Sequence, residues 1–238
     1  IEKPHAVSEE QLNDLMKAAL NSPKNNLFLG FNRPKSKLVI KLRKLLKAES
    51  GPLSLSMLIG GHDLPAGHWY FSEKEGGRVL GNLCHWSDLS MHLVDKGHDM
   101  FPCTIQTIAK VDAQSNFVVS IAFNDGSLAS FNFSAKGYTF EGVREFLQVH
   151  KGELIANVKD FDTMQYWKME KVGKYNLFNR DHGHSANILY SFNNAAVVGG
   201  GEDLQYVYDT GYFVLKIKEA VETGAPVFCD PGLIEHIK

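Results

Sequence analysis

Apolar residues in the first fifty positions recur at helical spacing in two separate stretches. The first runs from Ser8 to about Asn21 and opens on a favourable N-cap residue followed by two glutamates. The second spans Ser36 to Lys47 and carries basic residues opposite its apolar face. Between them, Asn26 to Gly30 is a short apolar run typical of a strand.

From Pro52 onward the apolar period changes from helical spacing to alternation. The predicted strands are Leu53 to Met57, Pro102 to Asp112, Asn116 to Phe123, Ser127 to Ser134, Glu145 to Val149, Glu153 to Val158 and Met164 to Val172. The tripeptide Asn-Asp-Gly at 124–126 predicts a hairpin turn. Three further helices are predicted over Leu80 to Val94, Ser185 to Val197 and Asp203 to Glu222.

This order of elements predicts an α+β fold, with a largely antiparallel sheet and helices on one of its faces. The first helix and the run that ends at Gly30 do not fit that layout. A helix followed by a short strand is what the end of a doubly wound domain contains. We therefore expect the chain to open on a remnant of a doubly wound nucleotide-binding domain.

Composition excludes several classes of function. Apolar residues make up 44% and charged residues 22%, with a net charge of -2 and no basic stripe, so nucleic acid is not an expected partner. No apolar run approaches the roughly 20 residues that cross a bilayer. The three cysteines are too few and too scattered for a disulfide framework or a zinc site, which indicates reduced thiols in a cytoplasmic protein.

Two segments of the sequence carry a cation or an imidazole at a position typical of a ligand-binding site. Lys3 precedes Pro4 and would sit at the carboxyl end of a strand, although a solvated surface lysine is the plainer interpretation. His85 and Asp88 are three residues apart on a predicted helix and should share one face. A histidine held by a carboxylate acts as a general acid or base, and a packed histidine near a surface aspartate explains the same spacing.

Two further segments have weaker chemical signals. Arg-Asp-His-Gly-His at 180–184 precedes a predicted helix, where cationic side chains favour an anionic ligand. His182 and His184 would form half of a metal site, but no further ligands are evident nearby, so no metal is predicted. His-Trp-Tyr at 68–70 suits either a carbohydrate face or the edge of a core.

Taken in chain order, these pieces resemble a known enzyme family. The segments are Glu-Lys-Pro at 2–4, Gly-Phe-Asn-Arg at 30–33, Gly-Gly-Arg at 76–78, Cys-His-Trp-Ser-Asp-Leu at 84–89, Phe-Asn-Asp-Gly-Ser at 123–127 and Asp-His-Gly-His at 181–184. Their order and gaps are similar to those of the Gfo/Idh/MocA family, the group of glucose-fructose oxidoreductase and inositol dehydrogenase. Gly-Asn-Leu-Cys-His-Trp at 81–86 looks most similar to members fused behind a zinc-type alcohol dehydrogenase domain.

The resemblance implies roles for individual residues. Lys3 would reach the nicotinamide of NAD or NADP and the substrate hydroxyl, with Pro4 beside the cofactor. His85 would act as acid/base on that hydroxyl, because a base must remove the proton while hydride leaves the same carbon. The implied substrate-binding residues are Asn32, Arg33, Asn82, Asp88, Arg180, Asp181 and His184.

The sequence departs from the family pattern in two places. Many members have an aspartate four residues before the histidine, whereas this chain has Gly81. Either Asn82 or Asp88 supplies the missing polar contact, or the substrate and mechanism differ, or catalysis has been lost. No Gly-x-Gly-x-x-Gly follows a strand, since the glycines at 199–201 follow a predicted helix. The nucleotide-binding region is therefore expected upstream of Ile1, and this chain alone should be inactive and bind dinucleotide weakly.

The combined prediction is the substrate-side part of a sugar oxidoreductase. Residues 1–33 would be the tail of a Rossmann-type domain, residues 34–228 the family's substrate and oligomerisation domain, and residues 229–238 a C-terminal tail. The substrate would be a sugar, a nucleotide sugar or a cyclic polyol. A homo-oligomer would form through a second apolar sheet face carrying Phe117, Val119 and Ile121. A non-catalytic sugar-binding module and a dimerisation scaffold are the open alternatives.

Overall fold

The computed structural model describes residues 1–24, 26–65, 67–68, 71–72, 74–108, 115–135 and 142–237. The α-helices in these ranges are α1 (Glu9–Leu20), α2 (Lys37–Lys47), α3 (Cys84–Val94), α4 (His184–Asn194) and α5 (Leu204–Thr223). The strands are β1 (Ser54–Gly60), β2 (Cys103–Ile108), β3 (Asn116–Ala122), β4 (Leu128–Ser134), β5 (Arg144–Lys151), β6 (Leu154–Lys159), β7 (Thr163–Lys168), β8 (Lys171–Asn176) and β9 (Val227–Cys229).

The nine described strands form one sheet in the order β8-β7-β6-β5-β1-β4-β3-β2-β9. β1 runs parallel to β4, and every other pair of neighbours is antiparallel. Helices α2, α3 and α5 cover one face, and α1 packs against α5. The predicted α+β class, with a largely antiparallel sheet and helices on one face, is confirmed.

Alternation along each strand divides the sheet into a dry face and an open face. In β1, Leu55, Met57 and Ile59 are buried under the helices while the residues between them are exposed or half-buried. Phe117, Val119 and Ile121 of β3 lie on this same buried face. The prediction that these three residues form the outer contact face is therefore wrong, because their apolar side chains are already used in the core.

Capping residues fix the starts of the first two helices. The Ser8 hydroxyl accepts a hydrogen bond from the Gln11 backbone N–H, and the Ser36 hydroxyl accepts one from the Val39 backbone N–H, both at 3.2 Å. Each hydroxyl thus satisfies one of the N–H groups that a helix leaves without a partner. Both predicted helix starts are confirmed.

The chain before α2 differs from the prediction, because residues 26–30 form no strand. The Ile1 carbonyl accepts from the Gly30 N–H, and the Ile1 amino group donates to the Phe28 carbonyl. On a different segment, the Glu202 N–H donates to the Leu27 carbonyl. These scattered hydrogen bonds do not make a ladder. The run packs instead through Leu29 and Phe31 into a cluster between α1 and α5.

Three more parts of the chain depart from the sequence-based expectation. The predicted strand from Met164 to Val172 is two strands, β7 and β8, joined by a tight turn in which Met169 has a φ of 52°. The helix expected from Leu80 begins as a π-helical turn over Val79–Leu83 and becomes α-helical only at Cys84. The last strand, β9, was not predicted and crosses the proposed boundary at residue 228. Residues 109–112 of the second predicted strand lie outside the described ranges.

Replacing Met169 with glycine is expected to stabilise the protein. The left-handed conformation costs an L-residue on the order of 1 kcal/mol, and the Met169 side chain is exposed, so little packing is lost with it. The free energy of unfolding, measured by urea denaturation, should rise by roughly that amount. Met169→Ala is the control because it removes the same side chain and keeps the strain. Equal stabilities of the two variants would contradict this explanation.

Candidate active site

Lys3 and His85 meet at the π-helical turn that precedes α3. The Lys3 ammonium donates a 2.6 Å hydrogen bond to the carbonyl of Gly81, which lies four residues before His85. Gly81 is buried and has no side chain, so the ammonium can approach the backbone of the turn closely. The fold therefore brings together the two residues that the sequence nominated for catalysis, although they are more than eighty positions apart.

His85 is half-buried, and its imidazole has no polar partner at Nδ1 among the described residues. Its ring makes edge-to-face contacts with Phe31 and Trp86, at centroid distances of 6.1 and 6.2 Å. Burial lowers the pKa of His85 well below its ordinary value, and the charges of Arg33 and Lys3 lower it further. The imidazole is therefore neutral at pH 7 and is able to accept a proton.

A buried carboxylate, Glu145, joins three segments next to this imidazole. Its Oε1 accepts from Arg33 Nε and from Trp86 Nε1, each at 2.6 Å, and its Oε2 lies 3.0 Å from His182 Nε2. The Arg33 guanidinium also lies 4.7 Å from the centroid of the Trp86 ring, at cation–π distance. Arg33 is thus present at the site as predicted, but its Nε is committed to Glu145.

The segment 180–184 reaches the site through backbone contacts. The Asp181 carboxylate accepts hydrogen bonds from the backbone N–H groups of Lys37 and Gly183, at 2.8 and 3.0 Å. Gly183 has a φ of 84°, and a Cβ there would overlap the carbonyl of Asn32, so only glycine fits. His184 follows as the exposed first residue of α4, and Arg180 lies 3.9 Å from Asp160. Asp181 therefore holds the loop in place.

Asn32 is 3% exposed, and neither polar atom of its carboxamide has a hydrogen-bonding partner in the described part of the chain. An unpaired buried amide costs about 1–3 kcal/mol, which a ligand or water can recover. Asn32 lies between Phe31, which contacts the His85 ring, and Arg33, which contacts the Trp86 ring. Its free donor and acceptor capacity is consistent with the predicted binding of a hydroxylated ligand.

Asp88 does not orient His85, which corrects the expectation that the two share a polar contact. The Asp88 side chain is fully buried between α3 and α5, where it accepts a hydrogen bond from the Tyr206 hydroxyl. His92 Nε2 lies 3.1 Å from that hydroxyl. Asn82 accepts from Arg78 at 3.3 Å. The aspartate that the family places at position 81 therefore has no replacement beside the imidazole among the described residues.

Three residues of the site were missed or not given a role in the sequence analysis: Glu145, Trp86 and His182. Glu145 carried a usable signal, because it occupies an inward position in a strand whose other inward residues are Leu147 and Val149. A charged residue at an inward position requires a buried partner. Trp69 and Tyr70, the aromatic pair of the loop, lie outside the described residues.

The described residues contain no group of three or more His, Cys, Asp or Glu side chains that could hold a metal ion. None of the helices in the same ranges is long and apolar enough to cross a membrane.

Known sequences and known structures give different results. No family model matches the sequence, and no curated protein matches it. A putative oxidoreductase from Thermotoga maritima aligns with a TM-score of 0.73 at 13% identity, over 95% of this chain and 71% of that chain. The apo form of levoglucosan dehydrogenase aligns with a TM-score of 0.77 at 14% identity, over 96% and 72%. Aldose-aldose oxidoreductase from Caulobacter crescentus, complexed with glycerol, gives 0.73 at 14%, over 95% and 70%.

These neighbours are oxidoreductases of the Gfo/Idh/MocA type, and levoglucosan dehydrogenase has been solved with NADH and with NADH plus levoglucosan or L-sorbose. At 13–14% identity the similarity shows a shared fold. The fold that the sequence resemblance implied is therefore present in this chain.

Asp88→Asn is expected to stabilise the protein in a pH-dependent way. Burial raises the pKa of Asp88 to about 7, against the hydrogen bond from Tyr206, so the folded state holds a proton that the unfolded state releases near pH 4. The wild type therefore loses stability as pH rises from about 4 to about 7, whereas asparagine does not titrate. The advantage of the variant in urea denaturation should grow to at most about 4 kcal/mol above pH 7. A difference independent of pH would contradict the buried, raised Asp88.

Proposed function

We propose that this chain is the substrate-side part of an NAD(P)-dependent oxidoreductase that acts on a hydroxyl or keto carbon of a sugar, a nucleotide sugar or a cyclic polyol. The observation that carries the proposal is the hydrogen bond from Lys3 to Gly81, because it places an ammonium group one helical turn before a neutral imidazole. Alcohol oxidation needs a group that takes the proton of the hydroxyl. A fixed cation near the same carbon stabilises the negative charge that develops on the oxygen.

The two residues divide the proton and charge chemistry between them. His85 accepts the hydroxyl proton in oxidation and returns it in reduction. Lys3 stabilises the negative charge that develops on the substrate oxygen as the proton leaves. The low pKa of His85 makes it a weak base, so the Lys3 charge also helps by acidifying the hydroxyl. A bound nicotinamide supplies the hydride acceptor.

Substrate recognition is assigned to polar groups that surround the imidazole. The Asn32 carboxamide offers two unpaired N–H donors and an unpaired acceptor, which suits neighbouring hydroxyls. His184 is exposed at the start of α4, and Arg180 precedes it in the same loop. We leave Asp88 out of this set because its side chain has no exposed surface.

We place the nicotinamide ring next to Lys3. The sequence lacks the glycine-rich turn that usually binds the pyrophosphate of a dinucleotide. Lys3 and Pro4 would border the ring. The sequence contains no Gly-x-Gly-x-x-Gly turn between a strand and a helix to hold a pyrophosphate. An apolar groove of about 800 Å³, lined by residues of α1, α4 and the 26–30 run, is where we place a nucleotide-binding partner region. That region would come from sequence outside this chain, and whether a zinc-type alcohol dehydrogenase domain accompanies it is decided by sequencing the gene.

A second candidate function is a sugar-binding module without catalysis. It is favoured by the His85 imidazole, which has no carboxylate to orient it among the described residues, and by Gly81 in the position of the family aspartate. In this case Asn32 and the loop residues would still bind hydroxyls. Ligand binding without reduction of NAD or NADP in the complete gene product would select this function.

His85→Gln is expected to lower turnover by the complete gene product about a hundredfold or more, because general acid/base catalysis contributes on that order. The assay is the formation of NADH or NADPH with a panel of sugars and polyols. Since the pKa of His85 is lowered, the wild-type rate should persist to a more acidic pH than with an ordinary histidine.

The matched control is His92→Gln, on the same helix but directed at Tyr206. Turnover by this variant should stay close to that of the wild type. Wild-type turnover by His85→Gln would exclude the catalytic role of His85, and a loss in both variants would indicate damage to α3 instead.

The open face of the sheet is the surface we assign to a homo-oligomer. A row of uncharged polar residues crosses it from β2 to β7, paired strand by strand: Gln106, Ser120, Ser130, Ser56, Gln148, Asn157 and Gln165. Exposed apolar residues flank this row on both sides: Leu58, Ile108, Leu128, Phe146, Ile155, Val172 and Phe228. Hydroxyls and carboxamides donate and accept equally well, so the row can pair with a second copy of itself without charge repulsion.

Leu58→Lys is expected to weaken self-association roughly tenfold or more, because a charge would be buried in the proposed contact. Leu233→Lys is the matched control, since Leu233 is 55% exposed against 54% for Leu58 and lies outside the sheet. Sedimentation equilibrium of both variants and the wild type gives the measurement. Self-association that is unchanged in Leu58→Lys would exclude this face as the contact.

We also assign the protein to the cytoplasm. Its three cysteines are free and buried, which is the usual state of thiols in a reducing compartment. Fractionation of the source cells with a tagged copy of the complete gene product tests this assignment.

A further inference from the structure

We propose that Glu145 is a positioning residue of the candidate active site, whose buried carboxylate holds Arg33, Trp86 and His182 in place. These three residues neighbour the proposed site residues Asn32, His85 and His184 along the chain. Glu145 itself lies on β5 and belongs to none of the segments that resemble the oxidoreductase family. The part of the proposal that concerns sugar binding rests on the proposed function, and the part that concerns geometry does not.

The contacts show why one carboxylate controls three segments. Arg33 belongs to the turn before α2, Trp86 to α3 and His182 to the loop before α4. Each directs a ring or guanidinium nitrogen at a Glu145 oxygen, at 2.6, 2.6 and 3.0 Å. No two of the three share an element, so the carboxylate is the common point that sets their relative positions.

The Glu145 carboxylate is ionised in spite of its burial. Burial acts to raise its pKa, but the charge of Arg33 and the hydrogen bonds from His182 and Arg33 outweigh this effect and hold the pKa below its ordinary value. The side chains of Arg33 and Glu145 are 9% and 5% exposed, so water screens this pair little. The negative charge therefore offsets Arg33, one of the cations that lower the pKa of His85 and of His184.

A strained turn beneath Glu145 is a second, independent observation. Asp160 and Phe161, between β6 and β7, have φ values of 46° and 55°, which is unusual for two adjacent residues that are not glycine. Positive φ at two successive residues is the geometry of a primed hairpin turn, which residues with a Cβ adopt only at a cost. Backbone strain of this kind concentrates at functional sites. The Asp160 carboxylate accepts from the Glu145 backbone N–H at 2.8 Å, and the Phe161 ring lies 5.3 Å from the His182 ring. The strained turn therefore contacts both Glu145 and His182, one of the three residues that pair with its carboxylate.

Stability alone is a weak reason for this arrangement. A buried ion pair is often no more stabilising than apolar residues of the same volume, because desolvation offsets the attraction. Apolar side chains would pack α3 against β5 equally well, but they would not fix the direction of a guanidinium, an indole and an imidazole. Directional hydrogen bonds do so, and that favours positioning over simple packing.

The test compares Glu145→Gln, which keeps the shape and removes the charge, with Glu145→Asp, which keeps the charge and shortens the side chain. Glu170→Gln is the control, because Glu170 is an exposed glutamate in the turn between β7 and β8 of the same sheet. NMR follows hydrogen exchange at Arg33 Nε–H and Trp86 Nε1–H and the titration of His184, while levoglucosan is the sugar probe. Trp86→Phe, which removes a single donor and keeps the Arg33–Glu145 pair, serves if Glu145→Gln does not fold.

In Glu145→Gln, exchange at both N–H groups should accelerate at least about tenfold. The pKa of His184 should change, because Arg33 and His182, whose charges both lower it, then lack their common counter-charge, whereas Glu145→Asp should leave that pKa close to the wild-type value. A purely structural role would not separate the two variants in this titration. With Trp86→Phe, exchange at Arg33 Nε–H should stay slow, and the affinity for levoglucosan should fall.

The outcomes separate the two proposals. Unchanged exchange and an unchanged His184 titration in folded Glu145→Gln would overturn the positioning role, as would equal levoglucosan affinity in this variant and the wild type. If the wild type binds neither levoglucosan nor any member of the panel of sugars and polyols while the NMR changes occur as expected, the proposed function fails and the positioning role stands. If the wild type binds levoglucosan and Glu145→Gln binds at least about tenfold more weakly, both are supported.

Discussion

Arg33 and Glu145 are buried against each other, and the ion pair between them joins the first part of the chain to the sheet. Arg33 follows the 26–30 run that packs on α1 and α5, whereas Glu145 belongs to β5 in the middle of the sheet. A buried charge without its partner would cost several kcal/mol, so neither residue can leave independently. Because Trp86 and His182 use the same carboxylate, α3 and the loop before α4 are fixed by the same constraint.

The sheet has two faces with different consequences. Residues in the register of Leu55 and Met57 fill the core beneath α2, α3 and α5, and the alternate residues form the open face. The polar row on that face lacks charged side chains from β2 to β7, which is unusual for a surface that meets only water. The alternation of buried and exposed residues along the strands therefore produces both the core face, on which the site is built, and the open face proposed for self-association.

The candidate site combines the groups that the proposed alcohol oxidation needs in an unusual balance. The imidazole of His85 has no carboxylate to orient it among the described residues, and cations surround it. Among the described residues Lys3 is held by a backbone carbonyl and has no counter-ion, so its charge remains available to the proposed substrate oxygen.

The sequence by itself determined most of the elements and the class of fold, and it nominated Lys3, His85 and Asn32 as candidate site residues. Alternation and helical spacing are local properties, and Ser8, Ser36 and the turn at 124–126 act on their own neighbours, so these features follow from short stretches. The division of Met164 to Val172 into two strands was also local, but Met169 gave no turn signal because it is not glycine.

Only the tertiary structure decided which polar groups meet. The spacing of Asp88 placed it on the face of His85, yet Tyr206 from α5 takes its carboxylate. Glu145 becomes part of the site only because β5 passes beneath Arg33, Trp86 and His182, and Phe117, Val119 and Ile121 turn inward because helices cover that side. Period-two alternation fixes which residues share a face of a strand, and the packing of distant elements fixes which face is buried.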